Sequence, residues 1–198
     1  HLTIHVRCPM DVWRQWIRHR TANVSEYSTR YKPAIDDALT TEPDAWRAQS
    51  KDNKQGSSGR VEGWPIPVPY DYSGSCPQNS RDMLAGEYLT YRESLLQRHA
   101  REIYEERLAF GVAREQARKD LPLSTMTEAV WTCDLHNLLH FLSLRMDPHA
   151  QQEIREYANV IAEIVKAWCP ATYEAFVDWR LEAVTFSGPE IQALRRLI

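Results

Sequence analysis

The chain is predicted to be α+β with helices in the majority, on three observations. Strand character is confined to the opening alternation HLTIHV and to residues 124–133, where Thr125, Thr127, Val130, Trp131 and Thr132 favour extended backbone. Apolar residues elsewhere recur at helical spacing, as in Leu135, Leu138, Leu139 and Leu142. The 198 residues contain no internal repeat, and that length suffices for one sizeable domain with a real core.

The elements follow in order. Residues 2–7 alternate as a strand. Pro9 then suits the first turn of a helix, where its absent N–H costs nothing. Met10, Trp13, Trp16 and Ile17 form that helix's apolar face, with Arg14 and Arg18 one turn apart beside it. Residues 33–80 lack periodicity and contain QGSSG and the prolines Pro65, Pro67 and Pro69. We read them as an ordered excursion with Trp46, Trp64, Tyr70 and Tyr72 as apolar anchors. A long helix is expected from Arg81 to Phe110, ended by Gly111, and VAREQAR forms a short one before Leu121-Pro122-Leu123. After the 124–133 strand, Asp134 is placed to cap a helix over 135–145. A helix over 149–168 is stopped by Cys169-Pro170. Another runs from 171 to 184, and a short one closes the chain.

Composition limits the function. Hydrophobic residues make up 43% and charged residues 26%, as in a soluble globular protein. The net charge of -3 supplies no global field for nucleic acid, so a nucleic-acid binder is disfavoured. No apolar run reaches membrane length. Cys8, Cys76, Cys133 and Cys169 are scattered without disulfide-like spacing, so a reducing cytoplasm is the expected compartment. The chain opens with His1 directly in a strand, and an N-terminal segment is expected to be missing from this sequence.

The most informative run is RHRTANVSEYSTRY, residues 18–31. Arg14, Arg18, Arg20, Arg30 and Lys32 face a single acid, Glu26, between residues 14 and 32. Guanidinium groups bind phosphate through paired hydrogen bonds and a serine hydroxyl adds a donor, so this pattern suits a small anion. Glu26, Ser28 and Arg30 share one face if the segment is extended. The triplet Arg18-His19-Arg20 is expected at a helix C-terminus, where cations complement the dipole.

The second half leaves alternatives open. His136 and His140 stand four apart, a spacing that suits a metal, but no HExxH is present; a zinc hydrolase built on this pair is the least favoured reading. Arg118 is open between a ligand and a surface pair with Glu115 or Asp120. Arg145 is open in the same way, with Asp147 or Glu153 as partner.

The chain resembles the flavin-dependent thymidylate synthases. Their signature is Arg-His-Arg, seven residues, then Ser, met here by Arg18-His19-Arg20 and Ser28. WRQWIRHR, WRAQSKDNKQGSSG, LPLS, DLHNLLHFLSLRMDPHAQ and WCPATYEAF look like further family blocks in family order. The resemblance covers nearly the whole chain and is weakest in residues 60–80 and after residue 185.

That resemblance implies one domain over residues 1–198, with a central, mainly antiparallel sheet flanked by helices. It implies a homotetramer whose sites are shared between subunits. The implied reaction is reductive methylation of dUMP to dTMP, with FAD as cofactor, 5,10-methylenetetrahydrofolate as carbon donor and NADPH as reductant. Carried over by motif, Gln15, Trp16, Ile17, Arg18, Glu26, Tyr27, Ser28, Thr29 and Arg30 would meet dUMP. Ser28, Thr29 and Arg30 would take its phosphate, with Arg118 adding a guanidinium. Arg18, His19, Arg20, Glu26, Asp134, Leu135, His136 and His140 would contact FAD. Arg145 would lie against the pyrimidine as the catalytic group, since a fixed guanidinium stabilises negative charge developing on the ring. Some relatives carry Gly where this chain has Thr29, and Asn, Arg and Asn where it has Asp134, His136 and His140. A non-catalytic nucleotide-binding protein of the same fold is the alternative.

Overall fold

A computed structural model describes residues 1–35, 37–51, 56–63 and 84–197. Trp64, Tyr70, Tyr72, Cys76, the three prolines between them and the first residues of the expected 81–110 helix lie outside the described residues. The chain divides into two units, His1–Asn137 and Leu138–Ile198.

The first unit is organised by a three-stranded antiparallel sheet. β1 (Leu2–Pro9) and β2 (Asn23–Glu26) both pair with β5 (Met126–Cys133), which is therefore central. Burial on β5 alternates: Thr127, Ala129, Trp131 and Cys133 point inward, while Val130 is exposed. Across β1 the register sets Val6 opposite Ala129 and Cys8 opposite Thr127, so these side chains share the inner face.

α1 (Met10–Trp16) packs on the sheet. Pro9 is the last residue of β1 and the N-cap of α1, one position before the helical turn expected for it. Trp16 is fully buried and meets Trp131 edge-on, 5.7 Å between ring centroids at 81°; Trp13 lies 6.1 Å from Trp16. Each such ring removes ~150–250 Å² from water, roughly 4–6 kcal/mol at ~25 cal/mol per Å². This cluster fixes α1 on the sheet.

The 25-residue helix α2 (Ala85–Ala109) is followed, after its C-cap Phe110, by Gly111, whose φ of 77° only a residue without Cβ adopts freely. Residues 34–35 and 37–46 run along α2 as a strap. The Tyr104 hydroxyl receives the Ala34 N–H at 2.8 Å, and Gln97 Nε2 donates to the Leu39 carbonyl at 2.9 Å. Glu93 accepts the Thr41 N–H at 2.6 Å, and Thr90 accepts the Trp46 indole N–H at 2.9 Å. Residues 90, 93, 97, 101 and 104 recur at helical spacing, so one stripe holds the strap. Trp46 thus anchors the excursion as expected, but that excursion is not wholly irregular. It carries a hairpin of β3 (Arg47–Gln49) and β4 (Ser57–Arg60), which its Ser-Gly composition hid from periodicity. β2 was likewise not expected as a separate strand: its four residues are all exposed, so burial leaves no alternation to read.

α3 (Arg114–Ala117) continues into a 3-10 turn, Arg118–Asp120. Ala117 is buried with Ala34 and Tyr104. Arg107 of α2 straddles this turn, donating to the Ala117 carbonyl at 3.2 Å and pairing with Asp120 at 2.6 Å.

The second unit is helical. α4 (Leu135–Arg145) reaches it from the sheet strand β5 in sequence, followed by α5 (Gln152–Trp168), α6 (Pro170–Phe176) with a π turn over Val177–Leu181, and α7 (Gly188–Leu197). Within it Leu138, Phe141, Leu142, Ile154, Ala158, Ile161 and Val165 are buried. Pro170 opens α6, as expected of a residue that cannot continue α5.

Candidate functional site

The chain forms a cleft of ≈ 370 Å³ in the first unit, at the scale of small-ligand sites. α1 contributes Met10, Trp13 and Arg14, and its C-cap contributes Ile17. The end of β2 and the turn beyond it contribute Glu26, Tyr27, Ser28 and Thr29. Arg118 comes from the 3-10 turn and Thr127 from β5.

One wall is a turn stapled to α3. The Ser28 carbonyl accepts the N–H groups of Tyr31 and Lys32 at 3.2 and 3.1 Å, closing residues 28–32. Arg114 donates to the Tyr31 carbonyl at 2.6 Å, and Arg30 pairs with Glu115 at 3.1 Å. Because the strand ends at Glu26, the side chains of 26, 28 and 30 do not all face one way. Glu26 and Ser28 line the cleft, whereas Arg30 is exposed and engaged by Glu115. Glu26 is in turn held by the buried Thr127 hydroxyl, which donates to its Oε1 at 2.9 Å.

The arrangement of ion pairs around Arg118 is decisive. The two acids nearest it in sequence both have other partners: Glu115 pairs with Arg30 and Asp120 with Arg107. Among the described residues, the Arg118 guanidinium makes one hydrogen bond, to Thr29 Oγ1, and no ion pair. A half-buried cation at a cleft wall without a carboxylate leaves most of its donors for a ligand. Arg14, which also lines the cleft, likewise has no ion pair among the described residues. Two cations therefore face one acid, Glu26, whose Oε1 is already committed to Thr127.

The other residues singled out by sequence fall outside this cleft. Trp16 is in the core. Gln15 is half-buried on α1. Arg18, His19 and Arg20 follow the end of α1, where the Arg18 and His19 N–H groups close on the Gln15 and Trp16 carbonyls at 3.3 and 3.0 Å. The triplet thus stands just past a helix C-terminus, as its position suggested. Arg18 and Arg20 are exposed.

Asp134 caps α4: its two carboxylate oxygens accept the Asn137 N–H at 3.0 Å and the Asn137 side-chain amide at 2.7 Å. Those hydrogen bonds hold its carboxyl below the usual aspartate range, so it stays ionised and accepts only. Leu135 is half-buried beside it and His136 is exposed. His140 is exposed in the second unit, and no three His, Cys, Asp or Glu side chains gather as a metal site among the described residues. Arg145 ends α4 half-buried, and burial holds its pKa below the ordinary arginine value; Asp147, its candidate partner by sequence, is engaged by His149 at 2.8 Å.

Sequence reading missed Met10, Trp13, Arg14 and Thr127 as cleft residues. For Arg14 a signal existed, its place in the local excess of cations. Thr127 gave none: a threonine alternating inward on a strand reads only as core.

Residues 1–171 match the family model described as thymidylate synthase complementing protein. A flavin-dependent thymidylate synthase of Wolbachia pipientis wMel is 41% identical over 197 residues, covering 100% of this chain and 62% of that protein. Its counterpart in Gluconobacter oxydans is 43% identical over 195 residues, covering 98% and 59%. The chain therefore spans about three fifths of the length of these relatives. Among solved structures, the UMP/dUMP methylase PolB from Streptomyces cacaoi bound with 5-Br dUMP superposes with a TM-score of 0.68 at 28% identity, over 90% of this chain and 70% of that one.

Proposed function

Because the chain belongs to the thymidylate synthase complementing protein family, we propose that it is a flavin-dependent thymidylate synthase that methylates dUMP to dTMP. The carbon donor in this reading is 5,10-methylenetetrahydrofolate and the reductant NADPH. The observation that carries the substrate is Arg118, a cleft guanidinium whose neighbouring carboxylates are both taken by other arginines. The solved methylase it resembles is bound with a dUMP analogue.

In this reading Arg118, Ser28 and the Thr29 backbone N–H hold the dUMP phosphate, with Arg14, which also lines the cleft, adding charge. Arg30 stands in the same turn, but while Glu115 holds it its contribution is the smaller one. Glu26, fixed by Thr127, orients the polar part of the nucleotide. Arg145 supplies the guanidinium against the pyrimidine, where it stabilises negative charge that develops on the ring oxygens and N3.

FAD fits the donor set just beyond α1. Arg18 and Arg20 are exposed and have no ion pair among the described residues, as a pyrophosphate-bearing cofactor requires. His19, Leu135, His136 and His140 would complete its surroundings, with Asp134 acting through the helix cap it makes. The bound flavin would supply the redox chemistry. The homotetramer with shared sites and a cytoplasmic location belong to the same proposal; no helix among the described residues is long and apolar enough to cross a membrane.

The test is tritium release from dUMP labelled at uracil C5, with and without NADPH and the folate. Release that needs both reductant and flavin is the expected result. A protein that binds dUMP but neither FAD nor label-releasing chemistry would instead be a nucleotide-binding relative that had lost catalysis. Arg118→Ala should weaken dUMP by roughly 10- to 100-fold, the value of about 1.5–3 kcal/mol for a hydrogen bond to a charged group. Unchanged affinity would remove Arg118 from the phosphate site.

A further inference from the structure

We infer that Thr29 is a positioning residue: its hydroxyl holds the Arg118 guanidinium in the cleft before any ligand arrives. The inference rests on the reading of this cleft as the seat of the dUMP phosphate, and it concerns a role that the motif Ser28 does not have.

Three contacts fasten the 28–31 turn to α3 and the 3-10 turn after it. Two of them, Arg30 to Glu115 and Arg114 to the Tyr31 carbonyl, are exposed. The third, from Arg118 Nη1 to Thr29 Oγ1, is part-buried, and both its residues line the cleft. Thr29 is only 5% exposed, so its β-branched side chain is restricted by packing as well as by its own χ1 preference. The other partner is just as fixed at its base, since Ala117 is buried in the α2 contact and Arg107 clamps the Ala117 carbonyl and Asp120. Only the long Arg118 side chain remains to be ordered, and the Thr29 oxygen orders it.

The chemistry of the bond favours an anion. Arg118 spends one N–H on the Thr29 oxygen and keeps the rest of its fork for an anion. Arg118 therefore presents its remaining N–H donors with its rotamer freedom already lost in the folded protein. Preorganisation of this kind raises affinity without adding a new contact to the ligand.

The test is a double-mutant cycle on dUMP affinity, measured by calorimetry on the full chain, with melting temperature recorded for every variant. Thr29→Val, close in shape but lacking the hydroxyl, should weaken dUMP roughly tenfold, and Thr29→Ser should stay within about twofold of wild type because it keeps the acceptor. Thr29→Ala serves as the smaller replacement where valine disturbs folding. If Thr29 acts through Arg118, then Arg118→Ala alone and Arg118→Ala with Thr29→Val should lose affinity equally. Wild-type affinity in both the valine and alanine variants, or losses that multiply in the double variant, overturns the inference while leaving Arg118 as a phosphate ligand. Failure of wild-type protein to bind dUMP is a different result, which removes the reading of the cleft and this role with it.

Discussion

The strap along α2 and the cleft at the end of α1 are built from the same kinds of side chain, yet they end differently. Along the strap, Tyr104, Gln97, Glu93 and Thr90 each meet a partner from residues 34–35 and 37–46. Arg101 also donates there, to the Ile35 carbonyl at 3.2 Å, and pairs with Glu105 at 3.0 Å. In the cleft, Arg14 and Arg118 have no carboxylate among the described residues. The difference separates polar side chains that serve the fold from those that the proposed function leaves for a ligand. Buried polar groups need partners, so a closed set of them is structural and an open set points outward.

The comparison can be broken at several places. The largest effect on stability is expected at the strap. A Cβ on Gly86 would stand 1.9 Å from the Pro43 carbonyl oxygen, so Gly86→Ala must displace backbone. It should destabilise by about 1–3 kcal/mol as overpacking does, although alanine is worth about 1 kcal/mol more than glycine inside an ordinary helix. Thermal melting measures this, and a variant as stable as wild type would show that the strap does not hold its place on α2.

The opposite signature is expected of Arg14. Arg14→Ala should leave the melting temperature unchanged and weaken dUMP by roughly two- to fivefold, the scale of an exposed charge worth under about 1 kcal/mol. The loss should shrink as salt rises. A fall in stability without a change in affinity would move Arg14 to the structural side.

The smallest effect concerns the thiols on the sheet's inner face. Burial, reinforced by Asp11 and Glu26, pushes the Cys8 thiol up to about 12. Burial beside Asp134 pushes Cys133 up to about 11. In the unfolded chain both deprotonate near the ordinary cysteine value of 9.0, so the folded state holds protons that the unfolded state has released. Their contribution is complete below pH 9 and lost as pH rises towards 11 and 12. At pH 8 in native protein, iodoacetamide should modify Cys169 ahead of Cys8 and Cys133, as read by mass spectrometry; fast labelling of Cys8 would contradict the burial.

Much of the fold was legible because its signals are local. The alternation of β1 and β5, the helical spacing of α4 and α5, Gly111 after α2 and Asp134 before α4 all state their roles within a few residues. β2 and the β3–β4 hairpin were not legible, since exposed Asn, Ser and Gly carry no periodicity. The site divided in the same way. Ser28, Thr29 and Arg118 could be named from motif, but Arg118 could equally have paired with Glu115 or Asp120 by spacing. Thr127 and Trp13 read only as core.

By itself, the sequence determined the order and kind of the principal elements, the concentration of cations between residues 14 and 32, and the resemblance through which the reaction was named. Only the tertiary structure decided which cations are spent on the fold. Arg30 and Arg107 reach Glu115 and Asp120 across gaps of 85 and 13 residues, and Thr29 reaches Arg118 across 89. Whether a charge is paired depends on which opposite charge folding brings within hydrogen-bonding distance, and separation along the chain does not contain that distance.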